Sequence, residues 1–142
     1  MVHPSPKPLP PRLREILERP NFVHLATIRA DGSPKLDPVW VGVRDDTTLL
    51  VGTGRSSLKT QNVLRDPRVA LSVVDRDNPY LEGQMRGVAT VIADPDVAIM
   101  DAISHKYIGT PFTMRGSDRV ALVITITQAR FAELPFRDTP PV

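Results

Sequence analysis

The spacing of apolar positions changes several times along the chain, and each change marks an element. Leu13, Ile16 and Leu17 fall at i, i+3 and i+4 behind Pro11, which suits a first helical position, and Pro20 ends that helix. From Asn21 the period becomes two. Phe22, His24, Ala26 and Ile28 alternate with Val23, Leu25 and Thr27, and both sets are largely apolar. This predicts a strand buried on both faces. Asp31-Gly32 makes a turn, a second strand runs from Pro34 to Arg44, and a third from Thr48 to Thr53. Gly54–Ser57 interrupts the alternation. A helix over Leu58–Arg65 follows, with Ser56 or Ser57 as N-cap and Asp66-Pro67 as its stop. Strands are then predicted at Arg68–Val74 and Glu82–Ala93, where Gly83 and Gly87 mark possible bulges. Asp94 caps a third helix with Pro95 at its first position, reaching Tyr107. A sixth strand begins at Arg119 and continues towards Leu134. The order α-βββ-α-ββ-α-β describes a mainly β protein. Six strands in meanders favour an antiparallel closed or split β-barrel with peripheral helices over a parallel α/β sheet.

Composition narrows the chemistry. The chain has 142 residues, enough for one domain with its own core. It has no cysteine, which excludes disulfides, thiolate metal sites and a Cys nucleophile. Five of the 15 prolines lie in residues 1–11 and two more at 140–141. The domain therefore reads as 12–134, between a flexible Pro-rich arm at 1–11 and a tail at 135–142. No apolar run approaches the ~20 residues of a membrane span and no signal segment is visible, so a soluble cytoplasmic protein is expected. The net charge of +2 permits an anionic ligand without demanding nucleic acid.

No H-E-x-x-H, G-x-S-x-G or Walker loop is present, and His3, His24 and His105 have no metal-ligand spacing. No metal site is expected and no catalytic side chain stands out. The segment from Thr53 to Asn62 is the strongest signal. A strand ends, a Gly/Ser turn follows and a helix starts, and backbone N–H groups at a helix start attract anions. Arg55 offers a bidentate fork and Lys59 a point charge, while Lys59 and Asn62 share a helix face. The same residues also read as a solvated basic turn. Pro38-Val39-Trp40 places a proline inside a strand, which implies an edge or bulge whose freed backbone groups could bind a planar heterocycle; a plain edge strand reads equally well. Tyr80, after a polar loop, could stack on a flat ligand or pack on the surface.

Together these segments resemble a known group. They read FVHLATIRADG (22–32), PKLDPVWVGV (34–43), RSSLKTQNVLRDPRVALSVV (55–74) and DNPYLEGQMRG (77–87), with a closing strand over 120–131. The chain is similar to the flavin/deazaflavin oxidoreductases of the pyridoxamine 5′-phosphate oxidase-like superfamily, the FMN-binding split barrels. Its nearest likeness is to their small F420-dependent actinobacterial branch. The resemblance implies a six-stranded split barrel that forms a homodimer, with two cofactor sites at the dimer interface. It puts the cofactor phosphate at Arg55, Ser56, Ser57 and Lys59, with Asn62 in the same motif. The ring system lies against Pro38, Val39, Trp40 and the Val51–Thr53 backbone. Tyr80 of the partner subunit covers the site. Lys7, Arg12, Arg14 and Arg65 would extend a basic groove for the anionic tail of F420.

The activity so implied is F420H2-dependent hydride transfer to an electron-poor small organic acceptor. FMN carries the same phosphate, so an FMN-binding pyridoxamine phosphate oxidase-like enzyme is the first alternative. Against vitamin B6 oxidation stands the short C-terminal segment. A non-catalytic module holding a cofactor, haem or lipid is a second alternative. An OB-like nucleic-acid barrel is disfavoured, because only 5% of the chain is aromatic.

Overall fold

The computed structural model describes residues 4–116 and 118–137. Its elements are α1 (Pro11–Glu18), β1 (Val23–Ile28), β2 (Pro34–Val39), β3 (Gly42–Asp45), β4 (Thr48–Gly54), α2 (Leu58–Arg65), β5 (Arg68–Val74), β6 (Leu81–Ala93), α3 (Ala98–Ile108) and β7 (Arg119–Glu133). The strands form one antiparallel sheet in the order β2-β1-β5-β6-β7-β4-β3.

The two edges of that sheet, β2 and β3, are neighbours in sequence. Only Trp40 and Val41 separate them. Two extended residues reach about 7 Å, so the sheet must curl until its edges approach at this corner. Among the described residues no ladder joins the edges, and the barrel stays split. The chain is thus a mainly β split barrel, with seven strands rather than the expected six. The sequence pattern runs unbroken through 34–44, but side chains break it. The Val41 N–H leaves the ladder to donate to the Tyr107 hydroxyl at 3.1 Å. The Trp40 ring stacks on Tyr107 with centroids 5.1 Å apart and an interplanar angle of 9°.

Inward side chains of β1, β4, β5 and β7 (Val23, Leu25, Leu49, Val51, Val73, Leu122 and Ile124) fill the interior, each 2% exposed or less. Helix α1 adds Leu13, Ile16 and Leu17 from one helical face, as the i, i+3, i+4 spacing requires. Gly83 makes room for that helix, since a Cβ there would stand 2.2 Å from Leu13 Cδ1. It is a packing glycine within a regular ladder. The bulge lies at Arg86/Gly87, where the β6–β7 register shifts. The arm is also tied down. Lys7 N donates to the Ile126 carbonyl at 2.8 Å, Leu9 N to the Asp46 carbonyl at 2.7 Å, and the Leu9 side chain joins the core.

Two expectations need correction. Strand β1 is buried on its inner face only: Val23, Leu25 and Thr27 are enclosed, whereas Phe22 and His24 are exposed. The outer helix α3 lies elsewhere, over β4, with Met100 against Gly52. Nor does α3 begin at Pro95. Residues 94–97 form a turn closed by Val97 N to the Asp94 carbonyl at 3.0 Å, and buried Val97 is left-handed at φ 59°. The Asp94 carboxylate still caps the helix from outside, accepting from Ile99 N at 3.1 Å and Met100 N at 3.0 Å. No helix among the described residues is long and apolar enough to cross a membrane.

Candidate cofactor-binding site

Strand β4 delivers the chain to an exposed turn, and α2 begins three residues after it. Hydroxyls shape that turn. Thr53 Oγ1 donates to Ser57 Oγ at 3.0 Å, and Ser57 Oγ accepts from Thr60 N at 3.3 Å as the N-cap. Thr60 Oγ1 donates back to the Gly54 carbonyl at 2.7 Å, and Gln61 Nε2 to the Arg55 carbonyl at 2.9 Å. Arg55 N is held by the Asp118 carbonyl at 2.9 Å. This network fixes the backbone while leaving donors over. Among the described residues no acceptor takes the N–H of Ser56, Leu58 or Lys59. Neither Arg55 nor Lys59 pairs with a carboxylate there. Three N–H groups, a guanidinium and an ammonium thus lie within five residues at a helix start, with Arg55, Ser56 and Leu58 exposed and Lys59 partly so. The chemistry of this donor set fits a phosphate.

The other predicted residues divide. Thr53 is nearly enclosed, and its hydroxyl serves the cap. Val51 is a core side chain, so only its backbone, paired with Leu122, is available along β4. Pro38 is exposed on edge strand β2 opposite His24, as a residue without an N–H requires. Val39 points inward. Trp40 sits between its Tyr107 stack and an edge contact with Phe112, and burial raises the Tyr107 phenol pKa. Tyr80 packs edge-on against Phe136 at 5.5 Å, and its carbonyl accepts from Leu134 N.

Asn62 turns away from the exposed corner. It is completely buried, donates from Nδ2 to Thr27 Oγ1 at 3.0 Å and accepts from Arg65 Nη2 at 3.1 Å. Arg65 also reaches the Ile28 carbonyl. The Lys59–Asn62 spacing therefore gives Asn62 a structural task, fastening α2 to β1. The cations expected along the arm divide too. Arg12 pairs with Glu133 at 2.6 Å, and Arg14 pairs with Glu18 and Asp46. Lys7 and Arg65 border a cleft of about 1090 Å³ between the arm and the α2–β5 corner.

One feature escaped sequence reasoning. The outer face of β1, β5, β6 and β7 is open and carries a depression of about 470 Å³ ringed by His24, Ser72, Gln84, Arg86 and Arg130. The period-two pattern marks Gln84 and Arg86, or Gln128 and Arg130, as outward residues. It does not show that they meet across strands.

The antiparallel split barrel is a fold of the flavin-binding type. The family profile described as pyridoxamine 5′-phosphate oxidase matches residues 9–133, and the chain belongs to that family, with its oxidoreductase-type fold. A solved structure called F420 reductase is 31% identical, at a TM-score of 0.76, over 89% of this chain and 98% of its own. A conserved hypothetical protein from Mycobacterium tuberculosis is 23% identical, also at a TM-score of 0.76, over 99% of this chain and 98% of its own. A pyridoxamine 5′-phosphate oxidase-related, FMN binding protein from Nostoc punctiforme shares the fold at 17% identity and a TM-score of 0.65, covering 88% of this chain and 85% of its own. No curated protein matches.

Proposed function

We propose that the protein is an F420-dependent oxidoreductase, working as a homodimer and passing a hydride to an electron-poor small organic acceptor. The unpaired donor set of the β4–α2 turn carries the reading as far as a phosphate-bearing cofactor, and the 31% identity to the F420 reductase structure favours F420. Arg55 would take a phosphate through its fork, Lys59 through its ammonium, and the N–H groups of Ser56, Leu58 and Lys59 through the helix start. Ser57 would act through the backbone it fixes. The backbone of Pro38–Trp40 and Val51–Thr53 would orient the ring system. When bound, the reduced deazaflavin supplies the hydride, which fits a chain without an acid–base pair of its own.

A second copy would complete the site. The open outer face supports this, for Leu36 of β2 and Val74 of β5 are 65% and 45% exposed on it. The partner's Tyr80 would then cover the ring.

FMN is the second reading, and one observation favours it. The turn meets a phosphate alone, whereas the longer anionic tail of F420 needs more cations. Arg12 and Arg14 are already paired. Fluorescence titration with F420 and FMN, followed by absorbance assays of F420H2 oxidation with nitro, enone and imine acceptors, separates the readings. Binding and oxidation of F420H2 are expected. Micromolar FMN binding without F420 binding would overturn the first reading. Tight binding without turnover would instead favour a carrier module.

A further inference from the structure

The outer-face depression is ringed by polar side chains that the cofactor reading does not use. Its volume of about 470 Å³ lies within the range of small-molecule sites. Strand register explains how it is built. Outward side chains form rows across the sheet, and one row runs His24, Ser72, Gln84, Arg130 from β1 to β7. The next row runs Ala26, Ala70, Arg86, Gln128, with Leu36 of β2 beside Ala26. Small side chains on β1 and β5 therefore leave a hollow, and long polar ones on β6 and β7 wall it. Both rows line the depression.

Arg86 and Arg130 are diagonal neighbours on adjacent strands, about 7–8 Å apart at the backbone and long enough to meet over the hollow. Both are exposed, and neither pairs with a carboxylate among the described residues. Arg86 stands on the ridge shared with the arm cleft, whereas Arg130 borders the depression only. No Asp or Glu lines the depression. Glu82, one row further along β6, lies outside that lining and makes no ion pair among the described residues. Like charges placed so close repel unless an anion lies between them. Gln84 and Gln128, opposite the two arginines, add carboxamide N–H donors. One wall is thus cationic and rich in donors, while Ala26, Ala70 and Leu36 make the rest apolar.

We propose that this depression binds small organic dicarboxylates, one carboxylate on each arginine fork and the carbon spacer over the hollow beside Ala70. A guanidinium meets a carboxylate through two parallel hydrogen bonds. Rows on one face repeat every ~6.6 Å and strands every ~4.8 Å, a spacing that suits two carboxylates about three or four carbons apart rather than one compact anion. Should a second copy cover this face, as the reading above has it, the same two carboxylates offset guanidiniums that would otherwise be buried unpaired. The inference needs neither the cofactor nor that second copy.

Calorimetric titration of the full-length, cofactor-free protein with glutarate tests it, at fixed ionic strength because salt screens exposed charges. Saturable binding is expected, weakened about fivefold or more in Arg86→Gln and in Arg130→Gln. Monomethyl glutarate keeps the spacer and one carboxylate, and should bind about tenfold more weakly, as should inorganic phosphate. Ala70→Leu fills the hollow and keeps both guanidiniums; it should weaken glutarate several-fold. No saturable binding, a monoester or phosphate that binds as tightly as glutarate, or affinity indifferent to both arginine variants overturns the proposal. Glutarate binding lost in Lys59→Ala but kept in the arginine variants would place the anion at the β4–α2 turn and overturn it too. Should a variant fail to fold, the ester comparison on the natural protein decides. The test uses no cofactor, so its failure is separate from failure of the F420 reading.

Discussion

Replacing Asn62 by alanine separates anchoring from ligand binding on α2. Asn62 is completely buried, and its amide joins Thr27 of β1 to Arg65. The substitution removes one neutral bond and one to a charged group, worth about 1 and about 1.5–3 kcal/mol respectively. It also strands the hydroxyl oxygen of Thr27, a residue only 1% exposed. Arg65 is exposed and rehydrates, returning part of its share. The net loss should be about 2–4 kcal/mol, a large part of the ~5–15 kcal/mol that holds a domain of this size. The melting temperature should fall by about 5–15 °C. Urea unfolding at fixed protein concentration measures the change, and cofactor titration of the folded variant measures the rest. Affinity should change less than about threefold. A variant that keeps its stability within about 0.5 kcal/mol yet loses tenfold or more in affinity would refute the anchoring role. It would restore Asn62 as a ligand.

Gly87→Ala places a Cβ 2.5 Å from the Thr125 carbonyl oxygen at the bulge, where backbone must move. It should cost about 1–3 kcal/mol, whereas Gly54→Ala, with nothing within 4 Å of the new atom, should be neutral or mildly stabilising by urea unfolding. Asp94→Ala removes the acceptor for Ile99 and Met100. Amide exchange should quicken in the first turn of α3, with about 2 kcal/mol lost overall. Lys106 has a folded pKa near 8, below its unfolded value of 10.5, so the unfolded chain binds the extra proton between them. Its contribution to stability therefore rises with pH through about 8 to 10, and the destabilisation is fully present below 8. Lys106→Met should flatten that rise in a pH series of urea midpoints.

Much of the fold is legible in local pattern. Leu58–Arg65 and Arg68–Val74 appear with the boundaries expected, because their caps, prolines and alternation all lie within the segment. The failures involve distant partners. Nothing near Trp40 announces that Tyr107, far along the chain, will draw Trp40 and Val41 out of the ladder and divide a strand. The second apolar face of β1 looks like core, but whether a helix covers it depends on where α3 packs. The site shows the same division. Arg55, Ser56, Ser57 and Lys59 are adjacent in sequence and stay together in space. Asn62 shares their motif, but its orientation is set by Thr27, on another strand. Gln84, Arg86 and Arg130 share one depression only because β6 and β7 align them.

The most direct test of a phosphate-bearing cofactor at the β4–α2 turn is equilibrium titration of F420 and FMN against the natural protein and Lys59→Ala. Lys59 is partly exposed and pairs with no carboxylate among the described residues, so the fold should survive its loss. A lost bond to a charged group is worth about 1–3 kcal/mol, or about 5–150-fold in affinity. The account predicts weakening in that range for whichever cofactor binds, with unchanged urea unfolding. Undiminished affinity in Lys59→Ala would contradict it.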